Sequence, residues 1–364
     1  MLINIETANP PFKVSQTRAT SELKKRMAVR PAINRMIDAA SNHSGIDFRY
    51  FVVPDGDEDS DDKFYSKNGE YIKPDTEARM TQYEKWSKLL AKEAVRKIFE
   101  NNNILPEEIN RLITISCTGF FAPGLDYFLI DEFGIPAAAK RTNIGFMGCA
   151  ASLIGFNSVS ESLKSSDDSE INALMVSVEL CSLHLQTEAT RDNILANMIF
   201  ADGAGAALFS SSKRHKEKAK LNLIFSESYL FANSREFMGW KIGNYGFEMM
   251  LSSDLPKIIL EKAVPQLIRI LFSYGIKPED ISFWALHPGG RAILDALQNG
   301  LNLNEEKMKP SREVLKNFGN MSSVSILFVL KEIINSNQIR QGEYCCAVAF
   351  GPGLTMEVSL FQGM

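Results

Sequence analysis

The sequence has no apolar run long enough to cross a membrane: nothing in its 364 residues approaches the roughly 18 consecutive apolar side chains that a helical span needs. The N-terminal stretch MLINIETANPPFKVSQ lacks a basic segment followed by an apolar core, so a secretory leader is not expected. The expectation is a water-soluble, cytoplasmic protein without membrane insertion. Basic excess is missing too, with 40 Lys and Arg against 44 Asp and Glu and a net charge of −4. The basic residues are scattered and not striped, which argues against a nucleic-acid partner. The five cysteines, Cys117, Cys149, Cys181, Cys345 and Cys346, form no CxxC pair and no zinc-ligand spacing. They read as reduced thiols, and any special one should be special for reactivity.

What is present is a globular composition, 45% hydrophobic and 23% charged, enough for two ordinary domains or one large duplicated one. The first hundred residues read as helical and polar, with Lys85 to Phe99 repeating apolar residues at helical spacing. The acidic run Asp55 to Asp62 lacks the spaced glycine of a calcium loop and reads as a solvated loop. From Leu112 onward, short apolar runs (RLITISC, ALMVSVEL, GAALFSS, SFWALH, CCAVAF) alternate with amphipathic segments, the pattern of an α/β protein with buried strands.

Two segments share one plan. GFMGCAASLIGFNSVSESL is a glycine-flanked turn into a small-residue helix followed by strand ALMVSVEL, and FGNMSSVSILFVLKEII repeats it before CCAVAF. An internally duplicated βαβ core follows, in which Cys149 and Asn320 each sit where a helix begins. The charged connection Ser211 to Lys220 divides it into an N-terminal half, residues 1–215, carrying the cysteine, and a C-terminal half, residues 216–364. A further helix should start at Asp254 as N-cap, with Pro256 in its first turn and a kink at Pro265. The end of the chain, FGPGLTMEVSLFQ, reads as a turn between two strands.

Cys149, at the head of a small-residue helix, has the setting of a nucleophile, because unpaired helix N–H groups and the dipole favour a thiolate. A small buried hydrophobe is the plainer reading of any free cysteine. Of the four histidines, His43 and His215 should be exposed and His184 structural. His287 ends the apolar strand SFWAL before Pro-Gly-Gly, at the strand end where α/β sites form. Asn320 is a candidate partner, with an ordinary N-cap as its plain reading.

Read together, SCTGFFAPGLDY, GFMGCAASL, VELCS, IFADGAGAALF, WALHPGG, NFGNMSS and FGPGLTMEV resemble the type III polyketide synthases, the chalcone synthase family, over about two-thirds of the chain. The resemblance implies a thiolase-like αβαβα fold and a homodimer. It also implies iterative decarboxylative condensation of malonyl-CoA onto an acyl-CoA starter, with cyclisation to a pyrone or aromatic product. No cofactor, metal or acyl carrier protein is called for. Carried over by motif, Cys149 is the nucleophile, His287 and Asn320 are its partners, and Phe200 of IFADG is the gatekeeper between CoA tunnel and product cavity. Leu183, directly after VELCS, and Gly289, Gly290, Ser322, Gly351 and Pro352, within the same motifs, fall along the substrate path that the resemblance implies.

Departures from the family bear on product. Trp240 stands where chalcone synthases usually have glycine, and Met249 replaces a pocket phenylalanine, so the cavity should be smaller or redirected. Cys117 stands where some bacterial relatives also have a cysteine near the pocket, and Ala122 replaces the residue that plant enzymes push across the dimer interface. Arg35 is the candidate for the CoA-gripping helix, although the neighbouring lysines are missing. The rival readings are a ketoacyl carrier protein synthase III-like single condensation, a non-catalytic acyl-CoA-binding thiolase-fold protein, and a cysteine hydrolase.

Overall fold

Strands that are apolar or small at every position must be covered on both faces. NALMVSVEL and DGAGAALFS come close to this pattern, interrupted only by Asn172, Glu179 and Asp202, and are buried at every residue. The computed structural model of the chain describes residues 1–27, 30–56, 63–164 and 170–364. The chain enters through β1 (Leu2–Ala8), β2 (Phe12–Ser15), α1 (Gln16–Met27), α2 (Pro31–Asn42) and β3 (Phe48–Phe51), then the small hairpin β4 (Ser66–Lys67) and β5 (Glu70–Tyr71). Helix α3 (Thr76–Glu100) leads into β6 (Arg111–Ser116), α4 (Leu125–Phe133), β7 (Lys140–Gly145), α5 (Ala151–Lys164), β8 (Asn172–Leu180), α6 (Arg191–Ile199) and β9 (Asp202–Ser210). After a turn at Lys213–Lys218 come β10 (Leu221–Leu230), the hairpin β11 (Met238–Gly243) and β12 (Gly246–Leu251), α7 (Leu255–Ile258) and α8 (Val264–Ser273). The remainder is β13 (Ile281–Leu286), α9 (Arg291–Leu301), α10 (Glu305–Phe318), α11 (Ser325–Asn335), β14 (Tyr344–Gly351) and β15 (Thr355–Gly363).

The large sheet runs β13-β14-β15-β10-β1-β9-β8-β6-β7. Its two halves meet at a single pair, Leu2 opposite Leu221. Outward from that seam the halves repeat: β9 and β15 run antiparallel to β8 and β14, which run parallel to β6 and β13. Helices α5 and α11 pack against strands of both halves, α3 against the first, and α10 against β13. Those contacts give the five layers of an αβαβα fold. The middle layer is largely apolar, with Leu153, Phe156 and Val159 of α5 meeting Ile326, Leu327 and Val329 of α11 in one core. Glycine lets it close: a Cβ on Gly205 of β9 would lie 2.9 Å from Leu327 Cδ1.

Several expectations need correction. The first hundred residues are not simply helical, because β1 is a central strand of the sheet. Its polar residues disguised it: Glu6 is matched inside by Lys331 at 2.7 Å and Asn101 at 2.8 Å. Of the acidic run, residues 57–62 lie outside those described, but Asp55 is buried and not solvated. It accepts from the Phe64 and Tyr65 N–H groups at 2.8 Å and pairs with Arg26 at 2.9 Å. Asp254 occupies the cap position of α7, yet its side chain makes no cap bond. The kink expected at Pro265 is a π-helical segment, Ile259–Ala263, immediately before α8. A proline there has no N–H to give to the preceding turn, so the ladder widens. Among the described residues, no helix is long and apolar enough to cross a membrane.

Candidate active site

The turn after β7 carries Cys149. Phe146 and Gly148 both have left-handed backbones, with φ of 60° and 64°, and a Cβ on Gly148 would fall 2.3 Å from Pro352 Cδ. Glycine is therefore required at 148 twice over, for conformation and for space. Cys117 braces the same turn, its sulfur accepting from the Gly148 N–H at 3.0 Å. Cys149 lies in the one-turn 3-10 segment Gly148–Ala150, and α5 begins only at Ala151. The thiol is buried, and burial pushes it up to about 12, with hydrogen bonds from Ser322 and Asn320 pulling the other way. The expectation that a helix start alone favours the thiolate is not met, because loss of solvation outweighs the terminal partial charge.

The duplication is real at this turn, but its register differs from the one expected. Met147-Gly148-Cys149 corresponds to Met321-Ser322-Ser323: each Met has similar cap angles, and Gly148 and Ser322 both have positive φ. The counterpart of Cys149 is thus Ser323, which donates to Glu179 and shares a hydrogen bond with Ser177. Asn320 lies just before the repeated turn and not at the helix head.

His287 follows β13, its N–H donating to Val348 O at 2.9 Å. The imidazole is 2% exposed, and neither ring nitrogen is bonded within the protein. Burial lowers its pKa to about 3, so the free imidazole is neutral. Gly289 lies against the ring, since a Cβ there would sit 3.5 Å from Nε2. The Gly289 carbonyl accepts from Asn320 Nδ2 at 3.1 Å, while Asn320 Oδ1 accepts from the Ser322 N–H at 2.8 Å. The second bond fixes which way the amide faces, and it leaves the other Nδ2 hydrogen for the Cys149 thiol.

Cys149, His287 and Asn320 meet on one cavity of about 490 Å³. Phe200, Met249, Gly289 and Gly290 also line it. Arg35 does not; it is exposed on α2, whose cavity-facing residues are Met36, Ala39, Ala40 and His43. Those residues were missed, although their spacing places them along one side of the helix. Arg191 and Arg291 supply the cationic groups among the lining. Gly351 and Pro352 back the Cys149 turn from behind: a Cβ on Gly351 would meet Met147 O at 2.7 Å. Leu183 is fully buried in the outer core, its carbonyl accepting from Arg79 at 2.8 Å.

Trp240 lies beyond Phe200 and Met249, on a second cavity of about 30 Å³ that shares those two residues. Its Nε1 donates to Cys117 O at 2.8 Å. His184 fills the same region, stacked on Phe247 with centroids 4.1 Å apart and edge-on to Trp240. Both its ring nitrogens are used, by Thr118 O and the Phe247 N–H, the structural role expected. His43 is exposed as expected, but His215 is buried at 6% exposure; the 3-10 turn at Lys213–Lys218 folds it inward. Among the described residues, no group of three or more His, Cys, Asp or Glu side chains is placed to hold a metal ion.

Comparison with known proteins agrees with this geometry. Residues 222–364 match the family described as chalcone and stilbene synthases, C-terminal domain, and residues 60–227 match FAE1/type III polyketide synthase-like protein. The chain is 30% identical over 370 residues to a chalcone synthase-like protein of Bacillus subtilis (strain 168), covering 99% of this chain and 98% of that one. It is 27% identical over 360 residues to the 1,3,6,8-tetrahydroxynaphthalene synthase of Streptomyces peucetius subsp. caesius, covering 98% and 92%. The crystal structure of PKS-I from the brown alga Ectocarpus siliculosus superposes with a TM-score of 0.91 at 29% identity, covering 100% and 98%. With its five-layered fold and a single cavity joining Cys149, His287 and Asn320, the chain belongs to the chalcone synthase-like type III polyketide synthases, acyltransferases that extend an acyl chain by iterative condensation.

Proposed function

We propose that Cys149 carries the growing chain and that His287 and Asn320 stabilise the charge that each condensation develops. The observation that carries this reading is the convergence of the three side chains on one largely apolar cavity. Alone, the buried thiol and the buried imidazole are each held neutral. As Cys149 sulfur attacks the starter thioester, its proton passes to His287 and then to the departing CoA thiol, leaving an acyl-cysteine and a neutral imidazole. Malonyl-CoA then loses CO2, and the electron pair moves onto the thioester as an enolate. A neutral His287 N–H and the Asn320 Nδ2 hydrogen that Gly289 O does not hold donate to that oxygen, each such donor being worth about 3 to 4 kcal/mol. The enolate carbon attacks the acyl-cysteine carbonyl, the cysteine sulfur leaves, and the extended chain remains on CoA for the next round.

Phe200 stands as the gate between the main cavity and the small one behind it. Trp240, His184 and Phe247 occupy the far side, which restricts the chain to a few extensions and favours a small pyrone. At the entrance, Arg191, Arg291 and His43 are better placed than Arg35 to meet the phosphates of CoA. The division into residues 1–215 and 216–364 falls in the connection between β9 and β10, just before the strand that meets β1 at the seam. A homodimer is part of the same reading, supported by exposed Phe120, Phe146 and Met147 beside the Cys149 turn. Incubation with malonyl-CoA and a panel of acyl-CoA starters, followed by mass spectrometry, tests it. Triketide or tetraketide pyrones lost in Cys149→Ala are expected; one condensation that needs an acyl carrier protein would overturn it.

A further inference from the structure

The last turn of α6 carries the gate, and its carbonyls are satisfied from outside the helix. Asn197 O and Phe200 O both accept from Nη1 of Arg49, at 2.8 and 2.7 Å. Met198 O accepts from Gln16 Nε2 at 2.8 Å, and Ile199 O from the Asn320 N–H at 2.8 Å. Gln16 is tied in turn to Arg49, whose Nε donates to Gln16 Oε1 at 3.0 Å. A helix end leaves its final carbonyls without intrahelical donors, and a cation there also meets the negative end of the dipole.

Arg49, on β3, is 2% exposed, with its guanidinium 5.0 Å from the centre of the Phe51 ring. Its stem covers Gly319, where a Cβ would sit 2.8 Å from Arg49 Cγ and 3.0 Å from Ile199 O. Burial pulls the guanidinium down to about 9, and Asp202 acts in the opposite direction, so the side chain is a cation at neutral pH. One buried side chain therefore touches the backbone on both sides of the gap between Phe200 and Asn320.

We infer that Arg49 is a positioning residue that sets the spacing of Phe200 and Asn320 and thereby both the decarboxylation rate and the number of extensions. The inference rests on the condensing function proposed above. Without the guanidinium, two buried carbonyls at the end of α6 lose their donor, and the helix end must shift or admit water. Asn320 moves with it, because its N–H is bonded to Ile199 O. The Cys149 turn touches the Ser322–Val324 turn but stands also on β7, β14 and Pro352, so loading of the starter is affected less than extension.

The test compares full-length wild type with Arg49→Met, Arg49→Lys and Gln16→Met. Intact mass reads acylation of Cys149 by an acyl-CoA starter, CO2 release from malonyl-CoA reads decarboxylation, and chromatography reads product chain length. For Arg49→Met, loading within about threefold of wild type is expected, with kcat for CO2 release lower by about 10- to 100-fold and KM little changed. Products shift in chain length, Arg49→Lys recovers part of the rate, and Gln16→Met changes it in the same direction but less. A merely structural role would lower loading and CO2 release together and leave the product ratio unchanged. Arg49→Met that loads normally and keeps wild-type CO2 release and products overturns the inference; if Arg49→Met does not fold, unchanged values in Gln16→Met overturn it. Wild type that neither loads nor releases CO2 overturns the condensing function and this inference with it.

Discussion

Phe200 and Asn320 are held side by side by the main chain. The Asn320 N–H donates to Ile199 O at 2.8 Å, and the Ala201 N–H donates to Asn320 O at 2.9 Å, closing an isolated parallel bridge. Gate and amide are therefore set in one frame, although 120 positions separate them in the sequence. On the mechanism proposed above each condensation uses both, and neither can move without dragging the other.

Replacing Asn320 by Ala removes one donor to the enolate oxygen while leaving this bridge intact. CO2 release from malonyl-CoA should fall by about 10²- to 10³-fold, whereas starter loading on Cys149, read by intact mass, should persist. Equal loss of both steps would remove Asn320 from the role proposed.

Trp240→Gly empties the space behind Phe200 and Met249. The products should lengthen by at least one extension, read by mass spectrometry of the pyrones. Stability should drop by roughly 3 kcal/mol, because a packed indole and its bond to Cys117 O are lost. Unchanged products would mean that the chain grows in another direction.

Gly148→Ala places a methyl group against Pro352 and forces a positive φ on a side-chain-bearing residue. A stability loss of about 1 to 3 kcal/mol is expected in denaturant titration, along with reduced labelling of Cys149 by an acyl-CoA. Adding Pro352→Ala should restore part of both, since it removes the atom that the new methyl meets but not the backbone strain.

His287 also has a thermodynamic signature. Its folded pKa is lowered by burial to about 3, so between the unfolded value near 6.5 and that point only the unfolded chain binds the proton. The stabilising contribution is complete above the unfolded pKa and is lost as pH falls. The stability of wild type relative to His287→Asn should therefore fall by about 1 kcal/mol as pH drops from 6 to 5. His184, likewise lowered to about 3, is present in both proteins and cancels in the comparison, as do the buried Glu179 and Asp202, whose raised values act with the opposite sign. Parallel curves would show that His287 is accessible to protons in the folded state.

Much of this was legible in the sequence because it is local. Gly145-Phe146-Met147-Gly148-Cys149 announces a tight turn into a buried helix, SFWALHPGG puts a histidine at a strand end, and apolar runs such as ALMVSVEL can only be covered strands. Arg49 and His215 were not legible, since a charged residue in DFRYF or SSKRHKEK is ordinarily exposed and only its distant partners show otherwise. Gln16 and Asp55 are of the same kind. The pairing of Cys149 with Ser323 in the internal repeat was also hidden, because sequence likeness aligns glycines while the backbone aligns the left-handed residues.

By itself the sequence determined the fold class, the duplicated plan and the three side-chain types of the site, because turns, helices and buried strands follow from residues within a few positions of one another. Only the tertiary structure decided what those side chains are. Burial holds Cys149 and His287 neutral, a carbonyl from the neighbouring turn orients Asn320, and Trp240 closes the space beyond the gate. Each of these depends on atoms brought together from distant parts of the chain, in the case of Trp240 and Cys117 from the two halves, where desolvation and contact have no counterpart in the order of residues along the chain.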